Sequence, residues 1–354
     1  MSIVIVVDID TLLASLIKDI NYKFDMTTFP TTESTLSAIH LGQFLKQKYN
    51  LSSKTICKLF RTGMNHLYLV TDGESKFALR IYTFNWRTKL EISEELRLLI
   101  HLKNNKLPIT YPIGDCEGKL IQEFNAPEGI RYGVLFSYAE GQKTARFTPK
   151  TSYHIGIILA KIHQVSENFE LDRMTYNSKT LLTDSLRRTK SFFTANSNEM
   201  AFIEKTTYYL VEEYKKVNTN HVRQGALHLD VWFDNMHFNG ESRVTIFDFD
   251  FCGNGWLCHD ISYFLYQLYS THNDNTEYEF KARSFLKGYD EVIKIGDEEK
   301  RIMPITCLAV MLFYISMQCD RYDTWSNIFL NEDHLKRFTW TLKKWIEYNR
   351  IDVR

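Results

Sequence analysis

The chain has 354 residues, enough for two packed lobes or one large domain with a smaller one attached. Its 44% hydrophobic and 24% charged content is that of an ordinary globular protein. The 43 basic and 43 acidic residues cancel, so there is no electrostatic footprint for nucleic acid or an anionic membrane, and neither is expected as a partner.

In the N-terminal MSIVIVVDID, Asp8 and Asp10 interrupt the apolar run and no basic segment precedes it, so it does not read as an export signal. Residues 1–25 read as an extension of uncertain role. Ser34 is placed to cap a helix through STLSAIHLGQFLKQKY. CKLFRTG, HLYLV and KFALRIYTF then read as strands, the last two joined by a turn at TDGES. LEISEELRLLIHLKN has helical spacing, and GKLIQEF and YGVLFSYAEG read as two further strands.

Beyond AEGQK the pattern is helical almost to the end, through SYHIGIILAKIHQV, AFIEKTTYYLVEEYKKV, DISYFLYQLYSTH and MPITCLAVMLFYISMQC. The apolar run from Ile305, about fifteen residues, is short for a bilayer crossing and reads as a buried core helix. The polar stretch from Asn177 to Glu199 reads as an insertion or a mobile helix pair. HLDVWFDNMHF and RVTIFDFDF break the helical pattern as loop, strand, turn, strand and loop. The fold class expected is α+β and bilobal, with an antiparallel N-lobe over residues 26–138 and a helical C-lobe over residues 139–354. Six cysteines without a CxxC pair or zinc-finger spacing read as reduced thiols of a cytoplasmic protein.

The embedded hairpin carries the chemistry. Phosphoryl transfer needs a carboxylate to take the proton of the attacking hydroxyl and cations to neutralise the phosphate oxygens. An Asp, a four-residue spacer and an Asn match the kinase catalytic loop, here Asp230 and Asn235. The apolar run VTIF then leads to Asp248. Together they supply the small oxygen set that Mg²⁺ takes alongside phosphates and water. There is no GxxxxGK[ST] and no GxGxxG; RTGMNHLY offers one Gly and Asn65 instead.

HLDVWFDN followed by TIFDFDFCGNGW and HDIS resembles the catalytic and metal-ligand motifs of the aminoglycoside phosphotransferase and choline kinase superfamily, near the type II homoserine kinase and bacterial stress-response kinase branch. TGMNHLYLV, FALRIYTFNWR, ISEELRLLIHL, APEGIRYGVLFSYAEG and LAKIH extend the similarity from about Phe29 to the C-terminus. The resemblance implies a protein-kinase-like fold with ATP as co-substrate and Mg²⁺ as cofactor. It implies Asp230 as the catalytic base, Asn235 and Asp248 as magnesium ligands, and His228 as a brace of the catalytic loop. Asp260 would start a helix and bond back to that loop, and Asp250 would either bind a second metal or pair with a cation. Arg80 stands where the phosphate-contacting lysine is usual, with Glu95 its expected partner and Glu94 a close competitor. Adenine would meet the main chain of Phe136, Ser137, Tyr138 and Ala139.

Three positions depart from the family pattern. Leu229 replaces a small residue, often Gly, and Trp232 a frequent His. Arg80 is a rigid fork where Lys is a point charge, although a guanidinium grips phosphate bidentately. The activity expected is transfer of the ATP γ-phosphoryl group to a hydroxyl of a small metabolite. WFDN, SYFLYQLY and MLFYISMQCDRYDTW predict a partly aromatic cleft wall. The acids Asp320, Asp323, Glu332 and Asp333 are followed by Lys336, Arg337, Lys343 and Lys344, which weakens the case for a polycation pocket. An amino alcohol or hydroxy amino acid therefore ranks above an aminoglycoside. The alternatives are a nucleotide-binding pseudokinase or regulatory module, for which Arg80 and the altered loop speak, and a kinase acting on protein Ser/Thr.

Overall fold

The alternating run from Ile56 to Tyr82 folds as three antiparallel strands, β1 (Ile56–Arg61), β2 (Asn65–Asp72) and β3 (Ser75–Tyr82), in a computed structural model that describes residues 29–194, 197–272 and 274–353. The extension expected at residues 1–25 lies outside the described residues. Strands β4 (Pro112–Ile113), β5 (Ile121–Ala126) and β6 (Gly129–Ser137) complete the sheet, ordered β1-β2-β3-β6-β4 with β5 also on β6. Helix α1 (Ala38–Lys48) covers it, its Leu41 and Leu45 buried with Tyr68, Val70 and Leu79.

The helix does not begin at Ser34. Ser37 takes the cap position, because the main chain of Ser34 is held elsewhere. Its N–H donates to Glu128 Oε1 at 3.0 Å and its C=O accepts from Arg131 Nη1 at 2.5 Å. Helix α2 (Lys89–Asn104) crosses between β3 and β4, started by a reciprocal cap between Thr88 and Glu91. Its buried Ile92, Leu96 and Leu99 join the large core of the second half of the chain, so the hydrophobic cores do not divide at residue 138.

The second half contains α3 (Pro149–Ser166), β7 (Thr175–Tyr176), α4 (Asp184–Phe192), α5 (Asn198–Lys215), β8 (Gln224–Leu227), β9 (Met236–Asn239), β10 (Arg243–Ile246), β11 (Gly253–Trp256), α6 (Cys258–Ser270), α7 (Asn275–Asp290), α8 (Asp297–Asp320) and α9 (Glu332–Tyr348). Helices α3 and α7 pack closely through glycine: a Cβ on Gly156 would lie 2.1 Å from Phe285 O, and one on Gly288 2.0 Å from Tyr153 O. The polar stretch around Asp184 is part of the packing, with Ser185, Leu186 and Thr189 buried and Ser185 bonded to Ser316 of α8.

Helix α8 is longer than its apolar run suggested. At 24 residues it is long and apolar enough to cross a membrane, but 78% of its most apolar window is buried inside the protein. It is a core helix.

Two main-chain bonds bring the halves together at the hairpin β9–β10. The N–H of Thr110 donates to Ile246 O, and Ile246 N–H to Pro108 O. Gln142 and Phe238 exchange main-chain bonds just past the linker. There Gly141 has φ +102°, and a Cβ would lie 2.3 Å from Phe238 O, so only glycine fits.

Candidate active site

A cavity of about 570 Å³ opens between the antiparallel sheet and the helical half. Its wall includes Asn65, Arg80, residues 136–139, Asp230, Asn235, Asp248 and Asp250. Glu95, His228 and Asp260 stand behind it, buried. The expected catalytic, metal, phosphate and adenine positions therefore lie in or against one cleft.

Strand β8 delivers the loop that begins at His228. Asp260, third residue of α6, is fully buried and holds this loop by its main chain, accepting from His228 N–H at 2.9 Å and Leu229 N–H at 2.6 Å. His163 Nε2 donates to the same carboxylate at 3.1 Å, and Tyr289 donates to His163 Nδ1 at 2.6 Å. Burial alone would raise the Asp260 pKa, but the hydrogen bond from His163 holds it below the usual carboxylate range. His228 braces the loop from within: Asp230 N–H donates to its Nδ1 at 3.1 Å, and its Nε2 donates to Phe247 O at 3.1 Å.

Leu229 has φ +66°, the left-handed region. That conformation costs a non-glycine residue about 1–2 kcal/mol, which accounts for the usual preference for a small residue. Here the Asp260 bond and complete burial of the leucine side chain hold it in place.

Asp230 faces the cavity with both carboxylate oxygens bonded. Asn235 Nδ2 donates to Oδ2 at 2.7 Å and Tyr263 Oη donates to Oδ1 at 2.9 Å. Burial raises its pKa to about 6, with the neighbouring Asp248 adding to the rise and His228 and Tyr263 opposing it. A carboxyl so poised is mostly ionised at neutral pH, yet still basic enough to take a proton.

Across the cleft, Arg80 forks between two carboxylates. Nη1 donates to Glu95 Oε1 at 2.7 Å and Nη2 to Asp248 Oδ1 at 2.8 Å. Burial lowers the Arg80 pKa, but Glu95 and Asp248 outweigh it and keep the group charged. Glu94 points away and pairs with Arg97 at 2.7 Å. Asp248 is itself left-handed, with φ +66°, and its side chain is 46% exposed toward the cavity.

Asp250 is occupied by a cation of the chain. Arg87 Nε donates to Oδ1 at 3.1 Å, while Trp86 Nε1 and Asn65 Nδ2 donate to Oδ2 at 2.6 and 3.2 Å. Although burial acts to raise its pKa, Arg87, Arg80 and Arg173 pull it to about 2. Of the two roles considered for Asp250, pairing with a cation is the one observed. Asn65 thereby spends its amide across the cleft. In the linker, Ser137 N–H donates to Tyr111 O at 2.9 Å and Ala139 O accepts from His237 Nδ1 at 2.6 Å. Phe136 places its ring 5.0 Å from the Arg80 guanidinium.

The donors suit a hard cation that keeps water and phosphate as its other ligands. Asn235 and Asp248 offer oxygens to the cavity, and no group of three or more His, Cys, Asp or Glu forms a closed cage among the described residues.

Sequence reasoning missed Tyr263, Tyr314, Arg87, Trp86 and Arg173. Tyr263 was legible in principle, because it lies three residues after Asp260 and so on the same helix face. Arg173, which donates to Asp250 O at 2.7 Å, comes from an aperiodic segment and left no signal.

A small antiparallel sheet carrying one inserted helix, set over a helical half with an acid-bearing hairpin at the cleft, is the architecture of a protein-kinase-like phosphotransferase. The family model of the phosphotransferase enzyme family (APH) matches residues 57–293, and the chain belongs to that family. An uncharacterised protein of Synechocystis is 31% identical over 240 residues, covering 67% of this chain and 66% of that one. A homoserine kinase of Methylobacillus glycogenes is 23% identical, covering 83% and 86%. Among solved structures, an amicoumacin kinase in complex with AMP-PNP and Ca²⁺ superposes with a TM-score of 0.71 at 19% identity, over 90% of this chain and 95% of that one. A microcompartment-associated aminopropanol kinase gives 0.69 at 17%, over 89% and 100%. The chain is a small-molecule kinase, a phosphotransferase acting on hydroxyl groups.

Proposed function

We propose that this chain is a cytoplasmic kinase that moves the γ-phosphoryl group of ATP to a hydroxyl of an amino alcohol or hydroxy amino acid. Residues 26–138 bind the nucleotide, and residues 139–354 carry the catalytic loop and the acceptor site. The observation that carries the reading is the convergence of Asp230, Asn235 and Asp248 on one cavity opposite the Arg80–Glu95 pair.

In this mechanism Asp230 takes the proton of the acceptor hydroxyl as its oxygen attacks the γ-phosphorus, the bond to the β,γ-bridging oxygen breaks, and ADP leaves. Arg80, positioned by Glu95, contacts the phosphates. Asn235 and Asp248 would hold Mg²⁺, which would neutralise charge on the phosphate oxygens. Adenine lies against residues 136–139. The acceptor class is supported by the neutral, ring-rich wall of Trp232, Tyr263, Gln267, Tyr314, Gln318 and Trp325, and by the relatives named as homoserine and aminopropanol kinases.

The test is ADP release from Mg-ATP against pooled amino alcohols, hydroxy amino acids, sugars and aminoglycosides, with Asp230→Asn alongside. Release above the no-acceptor background that disappears in the variant supports the reading, and dividing the active pool names the acceptor. If only sugars or aminoglycosides stimulate release, the acceptor class is wrong. If Mg-ATP raises the melting temperature but no pool is active, a regulatory nucleotide-binding role or a protein acceptor takes its place.

A further inference from the structure

Asp230 sits on a loop, and rotation about the last bond of an aspartate side chain is soft. A base that must meet one hydroxyl therefore needs its carboxylate plane fixed. Asn235 holds Oδ2, but Asn235 belongs to the same loop and is assigned a cation as well. The other oxygen is held from outside the loop, by Tyr263 of α6 at 2.9 Å.

Helix α6 grips the loop twice on one face. Asp260 takes the main-chain N–H groups of His228 and Leu229, and Tyr263, three residues later, takes the carboxylate of Asp230. The Tyr263 ring is itself held. Tyr314 of α8 stacks on it, with centroids 5.2 Å apart and planes at 24°, and Phe251 meets Tyr314 edge-on at 5.2 Å. The Tyr314 hydroxyl is buried beside the same carboxylate without a hydrogen bond of regular geometry. One turn beyond Tyr263, Gln267 lines the cavity, so the helix that fixes the base also forms part of the acceptor wall.

We propose that Tyr263, backed by Tyr314, is a positioning residue for phosphoryl transfer: its hydroxyl sets the plane of the Asp230 carboxylate so that a free lone pair faces the acceptor. This rests on the reading of Asp230 as the base. The phenol's bond of regular geometry goes to Asp230, with Gln267 and Tyr314 beside it, and Tyr263→Phe keeps the ring and its stack on Tyr314.

The experiment is Mg-ATP turnover with ethanolamine, L-homoserine and water in turn as acceptor, in the full chain and in Tyr263→Phe, Tyr263→Gln and Tyr314→Phe. Tyr263→Phe is expected to lower kcat by about 10- to 100-fold, the scale of a displaced reacting group, with both KM values within about threefold and an unchanged melting curve. Tyr263→Gln, which restores an N–H donor, is expected to recover part of the loss, and Tyr314→Phe, which keeps the stack, to lose less. Wild-type kcat in Tyr263→Phe overturns the proposal, as does a loss that appears in KM alone or follows a lowered melting temperature. If none of the three is turned over, the acceptor found in the pooled screen takes their place, and a wild-type chain inactive with every pooled acceptor overturns the kinase reading of this site and the proposal with it.

Discussion

Arg80 donates to Asp248 across the cleft at 2.8 Å, tying the central strand of the sheet to the end of the catalytic hairpin. The same guanidinium neutralises Glu95, which has no exposure to solvent. Removing it leaves this buried carboxylate only the Tyr82 hydroxyl at 3.0 Å and Arg173 Nη1 at 3.9 Å. Arg80→Ala is expected to destabilise the fold by about 1–3 kcal/mol, measured by denaturant unfolding. Arg80→Lys keeps the charge but cannot fork, and is expected to weaken Mg-ATP binding about tenfold at much smaller cost in stability. Equal nucleotide affinity in Arg80→Lys and wild type would remove Arg80 from phosphate binding.

Asp230→Asn keeps the shape of the side chain and removes its basicity. Turnover is expected to fall by about 10²–10⁴, the usual worth of a positioned general base, while nucleotide affinity changes little. Single-turnover kinetics and calorimetric titration separate the two quantities.

Asp248→Ala is expected to abolish the magnesium dependence of nucleotide binding. Titrations of nucleotide with and without Mg²⁺, in wild type and variant, read this directly. Identical affinities in the wild type under both conditions would count against a cation at Asn235 and Asp248.

Leu229→Gly sets two opposed effects against each other. Relief of the left-handed strain returns about 1–2 kcal/mol, whereas losing a fully buried leucine side chain costs about 2–5 kcal/mol. Cavity loss outweighs the strain over almost all of these ranges, so the variant is expected to be less stable by roughly 0–4 kcal/mol and to keep its activity. A stabilised Leu229→Gly would show that the strain exceeds this range.

The Asp260 pKa is depressed on folding by His163. Between the folded and unfolded values the unfolded chain binds more protons, so stability rises with pH there. The contribution is complete above the ordinary value of about 3.9 and is lost as pH falls through the folded pKa. Asp260→Asn is expected to unfold with a shallower acid limb, followed by denaturant midpoints below about pH 4.

Strands β1, β2, β3, β5 and β6, the inserted helix and the hairpin were legible because their apolar periods are local and clean, while the short β4, β7, β8 and β11 carry no such period; the expected α+β bilobal class is the one observed. A serine before an apolar-periodic run is a cap signal, which places the start of helix α1 at Ser34; Glu128 and Arg131, nearly a hundred residues away, take that serine's main chain instead. Position in the cleft was legible for Asp230, Asn235 and Asp248, whose spacing is short-range. The environment of Asp250 was not, since Asn65, Trp86 and Arg87 reach it from another part of the chain. Tyr263 was read only as part of an aromatic wall; that its hydroxyl meets Asp230 depends on how α6 packs against the loop.

The Asp260 carboxylate also sets the order in which the chain opens. The His228 and Leu229 amides are sealed against a residue of a core helix that has no solvent exposure, so their deuterium uptake is expected to follow the slowest amides of α6 rather than those of surface loops. Chain that is irregular by its dihedral angles is thus fastened to a buried carboxylate of a core helix, and the cleft is expected to lose its shape together with the helical half.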